Sequence, residues 1–349
     1  NKYFCMTKVK INTHSPFQQL KKILVGQAWD KNYFDFIENK DLKLPLQQIL
    51  NETNEDLEEL KKILRDCDVE VFQPHPFTNE TKYMSLDNPK ALQYPPLQPR
   101  GEFLTLGNKC LQISTLPVWD YIHNIVDVEY YENQFNTCWK PNETVNIDGN
   151  YVSGANCIKL GDRIILPPDL DTRCREVYVE AWKKDGYKLI ETRCNGHTDG
   201  VFTCLKPGVI VTLLDIQDYK TNFPGWDILY LPDQSWNKVS PFLDIKEKVG
   251  GRWWVPGQEE NDIFIKFVNE WLKSWTGYVE ETVFDVNMLS INEEMVIVNN
   301  YNKVVFDFLK KHKIEPIIWK QRHRYFWDGG VHCLTVDLLR EGQRENYFD

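Results

Sequence analysis

Met288-Leu289-Ser290-Ile291-Asn292-Glu293-Glu294-Met295-Val296-Ile297-Val298, then Asn302 to His312, then Ile314-Glu315-Pro316-Ile317-Ile318-Trp319, spells strand, turn, strand, helix, strand. Two short runs rich in β-branched and apolar residues, joined by a polar Asn-Glu-Glu, read as a hairpin. Asn302 is a helix-capping residue type, and an apolar run comes after the helix. Working outward, the same order returns. Phe103-Leu104-Thr105-Leu106 turns at Gly107-Asn108 into Cys110-Leu111-Gln112-Ile113, and Cys157-Ile158-Lys159-Leu160 turns at Gly161-Asp162 into Arg163-Ile164-Ile165-Leu166. Val201 to Leu205 turns at Pro207-Gly208 into Val209 to Leu213. Asp171-Thr172 can cap a helix through Trp182 ahead of Tyr187-Lys188-Leu189-Ile190, and Leu57, Leu60 and Leu64 stripe a helix ahead of Val69-Glu70-Val71-Phe72. Periodicity therefore predicts an α/β repeat protein built from strand-strand-helix-strand units. Ser235 through Asp262, with Trp236, Trp253 and Trp254, breaks the period and reads as an insertion or long loop; a lid and a surface-packed excursion are equally expected there.

The chain has 349 residues, enough for a substantial core, and no Gly/Ser-rich or Pro-rich linker divides it, so residues 1–349 read as a single domain. Its formal charge of −10 argues against a general nucleic-acid binder, which needs clustered Lys and Arg, and leaves room for a cationic substrate. Twelve Trp among 13% aromatic residues point to aromatic walls. The nine cysteines are odd in number and include no Cys-x-x-Cys, so neither a disulfide framework nor a structural zinc site is expected. No apolar run reaches the ~18 residues of a membrane span and no apolar leader is visible, so a cytoplasmic protein that does not engage membranes is expected. On that reading the Asn-Glu-Thr sequons at Asn51, Asn79 and Asn142 are chance.

Chemistry concentrates near the C-terminal end, in Trp327-Asp328-Gly329-Gly330-Val331-His332-Cys333-Leu334-Thr335-Val336-Asp337. Glycines let a ligand approach backbone closely, which makes this a good seat for a nucleophile. For an arbitrary cysteine the inert reading outweighs the reactive one by about four to one. Far upstream, Gly196-His197-Thr198-Asp199-Gly200 offers an imidazole and a carboxylate two residues apart, which share a face on an extended strand. The same alternation puts Cys333 and Thr335 on one face and His332 on the other. The expected pair is thus Cys333 with His197, not with the adjacent His332.

Together these motifs resemble the glycine amidinotransferase family, within the larger superfamily of guanidino-group-modifying enzymes that includes arginine deiminases. Ser15 to Gly26 is similar to the family's opening strand, Pro99-Arg100-Gly101-Glu102 to a Pro-Arg-Asp strand, and Val152-Ser153-Gly154-Ala155-Asn156 to an Asp-Ala-Ala-Asp segment, all in the family's order. The resemblance implies five units around a pseudo-fivefold axis, a five-bladed α/β propeller (pentein fold) with its site in the central channel. It implies Cys333 as nucleophile, His197 as acid and base, Asp199 as guanidinium anchor, a covalent amidino-cysteine with ping-pong turnover, and no metal or organic cofactor. The partners implied are a small guanidino donor and an amine acceptor, and a homodimer is left open.

Departures from the family pattern fall at the site. Ser153 stands where an aspartate would orient the histidine, and Asn156 replaces the second aspartate. Gly101 replaces the Pro-Arg-Asp carboxylate, leaving Glu102 as a substitute ligand; Gly330 is expected to line the substrate. Ile216 falls where an arginine would bind the donor's carboxylate, and Glu280-Glu281 where a Ser-Ser pair would meet substrate. Losing a cationic anchor while gaining acids predicts a donor and acceptor other than arginine and glycine, although an exposed Glu280-Glu281 loop is an equally good reading. A deiminase-like hydrolase and a silent binding protein on the same fold are the competing expectations. Arg100 is expected to be structural, His75 a rigid loop residue, and His323 part of a surface run.

Overall fold

The computed structural model describes residues 8–74, 92–112, 117–128, 152–167, 172–191, 197–213, 219–231, 254–276 and 283–348. The elements run β1 (Gln19–Val25), α1 (Lys40–Asp66), β2 (Glu70–Phe72), β3 (Phe103–Leu106), β4 (Lys109–Gln112), β5 (Ile158–Leu160), β6 (Arg163–Leu166), α2 (Thr172–Lys184) and β7 (Lys188–Glu191). They continue as β8 (Phe202–Lys206), β9 (Val209–Leu213), β10 (Asp227–Leu231), α3 (Asp262–Trp271), β11 (Leu289–Asn292), β12 (Met295–Val298), α4 (Lys303–Lys311), β13 (Glu315–Ile318) and β14 (Thr335–Glu341). The fold is mixed α/β, and the described strands form five separate small sheets.

One rule builds these sheets. An antiparallel hairpin receives a third strand parallel to its second, as in β5-β6-β7, β8-β9-β10 and β11-β12-β13. A parallel return requires a crossover, which α2 and α4 supply in two of them. The sheet β14-β1-β2 obeys the same rule with its first strand taken from the far end of the chain and α1 as its crossover. The hairpin β3-β4 is the remaining sheet.

The helix exits repeat as well. Asp68 (φ 59), Gly186 (φ 83) and Lys313 (φ 57) each turn left-handed after their helix. The next residue then donates to the carbonyl five positions back: Val69 to Leu64 at 3.0 Å, Tyr187 to Trp182 at 2.9 Å and Ile314 to Leu309 at 2.9 Å. A left-handed residue closes a helix end by satisfying its last carbonyls, and each of these aims the chain directly into the third strand.

Burial tracks the strands: Ile23, Leu24, Val25, Ile164, Ile165, Ile210, Val211, Val296 and Ile297 are almost wholly enclosed. Of the expected insertion, residues 235–253 lie outside the described residues. Its C-terminal end is packed: Trp254 and Val255 are buried, Trp254 against Phe326, and Asn261 caps α3, which lies against α1. Among the described residues no helix is long and apolar enough to cross a membrane.

Candidate functional site

The nucleophile candidate sits at the mouth of β14, on a segment held from three sides. Trp327 ends a single helical turn (Arg324–Trp327), stacks on Trp275 at 5.6 Å, and donates its indole N–H to Thr53 Oγ1 of α1 at 2.7 Å. Gln98 donates to the Trp327 carbonyl at 2.5 Å. Arg322 pairs with Asp56 at 2.7 Å, and His323, which is buried rather than superficial, bonds Glu52 at 2.7 Å. The chain then reverses at Asp328 (φ 56) and enters residues 331–334, which are a turn and not part of the strand.

That turn overturns the expected alternation. Leu334 N–H bonds the Gly330 carbonyl at 3.2 Å, and Thr335 N–H bonds the His332 carbonyl at 3.2 Å, so the backbone is curled and neighbouring side chains need not oppose one another. His332 and Cys333 both reach Asp199: His332 Nδ1 lies 2.8 Å from Asp199 Oδ2, and the Cys333 thiol donates to that same oxygen at 3.6 Å. His332 is therefore a member of the site.

The paired glycines also act differently from expectation. A Cβ on Gly330 would lie 2.5 Å from Asn287 Oδ1 and 2.8 Å from Asn299 Nδ2, and one on Gly329 would meet Gln98 Nε2 at 2.7 Å. The space belongs to amides that organise the turn. Asn287, fully buried, donates to Cys333 Sγ at 3.1 Å and to the Asp199 carbonyl at 3.2 Å, while its Oδ1 accepts from the His332 backbone N–H at 2.9 Å. Asn299 accepts from Val331 N–H at 2.7 Å and donates to the Asn287 carbonyl at 2.5 Å. Sequence reading missed both. The faint signal was an asparagine at a predominantly apolar position on either side of the β11-β12 hairpin.

His197 and Asp199 do not share a strand face. Thr198–Gly200 is a turn of 3₁₀ helix, with Gly200 N–H on the His197 carbonyl at 3.1 Å, and it leaves Asp199 buried and His197 exposed. Among the described residues the His197 ring makes no hydrogen bond, although its charge acts on Asp199. Ser153 is buried, and its Oγ accepts from Ala155 N–H at 3.2 Å and Asn156 N–H at 3.1 Å, which commits it to its own turn. That turn is sewn to the His197 segment through backbone: Asp199 N–H bonds the Ala155 carbonyl at 3.0 Å, and Thr198 Oγ1 donates to the Asn156 carbonyl at 2.8 Å. Asn156 is fully enclosed there. The Glu102 carboxylate acts on the buried Tyr121 hydroxyl. Ile216, Glu280 and Glu281 lie outside the described residues.

Beneath the site lies a narrow cavity of about 30 Å³ lined by Asp199, His332, Asp337, Lys159, Arg100 and Arg340 among others. Asp337 accepts from Arg100 Nη1 at 2.7 Å, Lys159 Nζ at 2.8 Å and Arg340 Nε at 3.0 Å, all four groups being buried. Burial pushes the Asp337 carboxyl up, but the three cations outweigh it and hold it well below the usual carboxylate range. Burial pushes Lys159 down to about 8 against the pull of Asp337. Arg100 also clamps the turn, donating from its backbone N–H to the Cys333 carbonyl and from Nε to the His332 carbonyl, each at 3.3 Å.

These surroundings set the resting protonation. Burial, then the nearby Arg100 cation, lower the His332 imidazole below its ordinary value, against the upward pull of its hydrogen bond to Asp199. Burial opposes ionisation of Asp199, yet the His332 hydrogen bond and the charges of His332, His197 and Arg100 carry it below its ordinary value. The Cys333 thiol is pushed well up, first by burial and then by the Asp199 charge, so it rests protonated on that carboxylate.

No family model matches the chain. The L-arginine:L-lysine amidinotransferase of Pseudomonas savastanoi pv. phaseolicola is 22% identical over 169 residues, which span 47% of this chain and 37% of that protein's own length. Among solved structures, an amidinotransferase of saxitoxin biosynthesis from Microseira wollei superposes with a TM-score of 0.64 at 18% identity, covering 97% of this chain and 99% of that one. The inosamine-phosphate amidinotransferase of Streptomyces griseus gives 0.63 at 15% identity, covering 98% and 100%. The resemblance read from the motifs thus holds at the level of structure: the chain has the amidinotransferase fold, in a divergent form.

Proposed function

We propose that this protein is an amidinotransferase that carries an amidino group on Cys333, with its five small sheets as the blades of one propeller-like domain. The observation that carries the reading is the Asp199 carboxylate. Its Oδ2 stands 3.6 Å from the Cys333 sulfur, and its Oδ1 is buried without a hydrogen-bond partner among the described residues. A buried carboxylate oxygen left open beside a thiol is costly unless a ligand supplies donors, and a flat guanidinium supplies them in matching geometry.

The resting thiol is then a device rather than a defect. Burial and the Asp199 charge keep it protonated. A bound guanidinium cancels that charge, which lowers the cost of ionising the sulfur at the moment its target arrives. The thiol proton passes to His197, the thiolate attacks the central carbon, and as the carbon–nitrogen bond breaks His197 hands that proton to the departing amine, which leaves an amidino-cysteine. An incoming amine attacks this intermediate and gives up a proton to His197, which regenerates the thiol. Asn287 Nδ2, 3.1 Å from Cys333 Sγ, is the donor that meets the developing charge on sulfur.

The departures at Ile216 and Glu280-Glu281 support a donor and acceptor pair other than arginine and glycine. One observation favours a second reading. Ser153 Oγ is engaged in its own turn, which leaves His197 without an orienting partner among the described residues and suits either a hydrolase, where water resolves the intermediate, or a silent binding protein. Mass spectrometry of the intact protein with a panel of guanidino compounds tests all three. An amidino adduct that is absent in Cys333→Ala and discharged only by an amine supports the transferase. Discharge by water to a ureido product selects the hydrolase, and no adduct with any donor ends the covalent reading.

A further inference from the structure

We propose that His332 is a positioning residue of this site, holding Asp199 Oδ2 through Nδ1–H so that the carboxylate stays charged and offers Oδ1 to a guanidinium. The inference rests on the reading of Asp199 as guanidinium anchor and adds a residue that strand alternation had set aside.

The geometry is specific. Asp199 is 2% exposed, and among the nitrogen donors of the described residues only His332 Nδ1, at 2.8 Å, reaches its carboxylate; the other contact is the weak Cys333 S–H at 3.6 Å. His332 cannot easily leave. Its backbone N–H is on Asn287 Oδ1 at 2.9 Å, and its carbonyl receives Arg100 Nε at 3.3 Å and Thr335 N–H at 3.2 Å. A hydrogen bond to an ionised acceptor is about twice as strong as a neutral one, and it fixes the direction of the carboxylate plane.

The groups facing Asp199 are His332, Cys333, His197 and Arg100, and those facing His332 are Asp199, Arg100 and Asp337. Of the influences on Asp199, burial is the largest and favours the neutral acid; the bond from His332 is the largest that opposes it. Without that donor the balance tips toward a protonated Asp199, which has no charge with which to grip a cation. Guanidino affinity should then fall as pH falls, because the protonated fraction rises.

The test compares wild type, His332→Asn and His332→Leu. The Asn side-chain amide can place an N–H near the position of Nδ1; Leu cannot. Circular dichroism establishes that each variant is folded, and the KM of the reactive guanidino donor is then measured across neutral and mildly acidic pH. The same His197 is present in all three proteins, so differences between them isolate the effect at Asp199. In His332→Leu, KM should climb about tenfold per pH unit on the acid side, the limit for one required carboxylate, while His332→Asn should track wild type. An equal loss at every pH in His332→Leu, or a loss in His332→Asn as large as in His332→Leu, overturns the proposal. Should no donor react even with wild type, the guanidino reading fails by itself. The Asp199 carboxyl is then titrated directly by carbon NMR, where an upward shift confined to His332→Leu supports the positioning role and an unchanged midpoint refutes it.

Discussion

Asn287→Ala should damage stability and thiol chemistry together, by separable amounts. Asn287 is completely buried and makes contacts in two directions: Nδ2 to Cys333 Sγ at 3.1 Å and to the Asp199 carbonyl at 3.2 Å, and Oδ1 from the His332 N–H at 2.9 Å. Truncation strands the His332 N–H and the Asp199 carbonyl in the interior. Each unsatisfied buried group costs about 1–3 kcal/mol, so the loss for the two is roughly 2–6 kcal/mol before any repacking. The sulfur loses its amide donor. A hydrogen bond to a charged acceptor contributes about 1.5–3 kcal/mol, so the thiol should ionise roughly one to two pH units higher. Urea unfolding reads the first number, and the pH profile of iodoacetamide alkylation at Cys333 reads the second. Asn287→Asp separates the causes, since it keeps an acceptor for His332 but replaces the donor with a negative charge beside the sulfur. It should recover part of the stability and move the alkylation profile further up. Unfolding within about 0.5 kcal/mol of wild type, together with an unmoved alkylation profile in Asn287→Ala, would refute the claim that this amide organises the turn.

The buried charges and thiols give two more expected outcomes. Asp337→Asn leaves Arg100, Lys159 and Arg340 clustered around a neutral amide; breaking a buried ionic network in this way costs about 3–5 kcal/mol, so denaturant unfolding should shift by at least that much, and a loss under ~1 kcal/mol contradicts the account. Burial pushes the Cys110 and Cys157 thiols up to about 12 in the folded protein, against an ordinary value of 9.0. The unfolded chain therefore releases these protons first, and stability should fall as pH climbs from about 9 toward 12, by up to about 1.4 kcal/mol per pH unit for each thiol. Cys157→Ala should flatten that slope between those limits, and identical slopes in wild type and variant would count against it.

The repeating unit was legible because everything that makes it is local. A two-residue Gly-Asp or Gly-Asn turn between β-branched runs specifies a hairpin wherever it stands, as at Gly161-Asp162 and Gly107-Asn108, and an apolar stripe behind a capping residue specifies a helix. Cys333 and Asp199 were likewise picked out by residue type and order, whereas Arg100 was read as structural. Pairing β14 with β1 was not legible, since no local pattern says that the last strand of a chain completes the sheet of its first.

The partners within the site were beyond the sequence for a sharper reason. Assigning faces by alternation assumes extended backbone, and both critical segments are curled: residues 331–334 in a turn, Thr198–Gly200 in 3₁₀ helix. On such backbone His332 and Cys333 converge on one carboxylate, while His197 and Asp199, expected together, separate into solvent and interior. Asn287 and Asn299 read as ordinary polar residues until the folded chain brings them against Gly330, where the missing side chain admits both amides. Residue chemistry and local backbone preference are thus written along the chain. Which oxygen faces which sulfur is decided by hydrogen bonds between segments more than a hundred residues apart, such as those joining Asp199 to His332 and Cys333, and these exist only once the sheets have assembled.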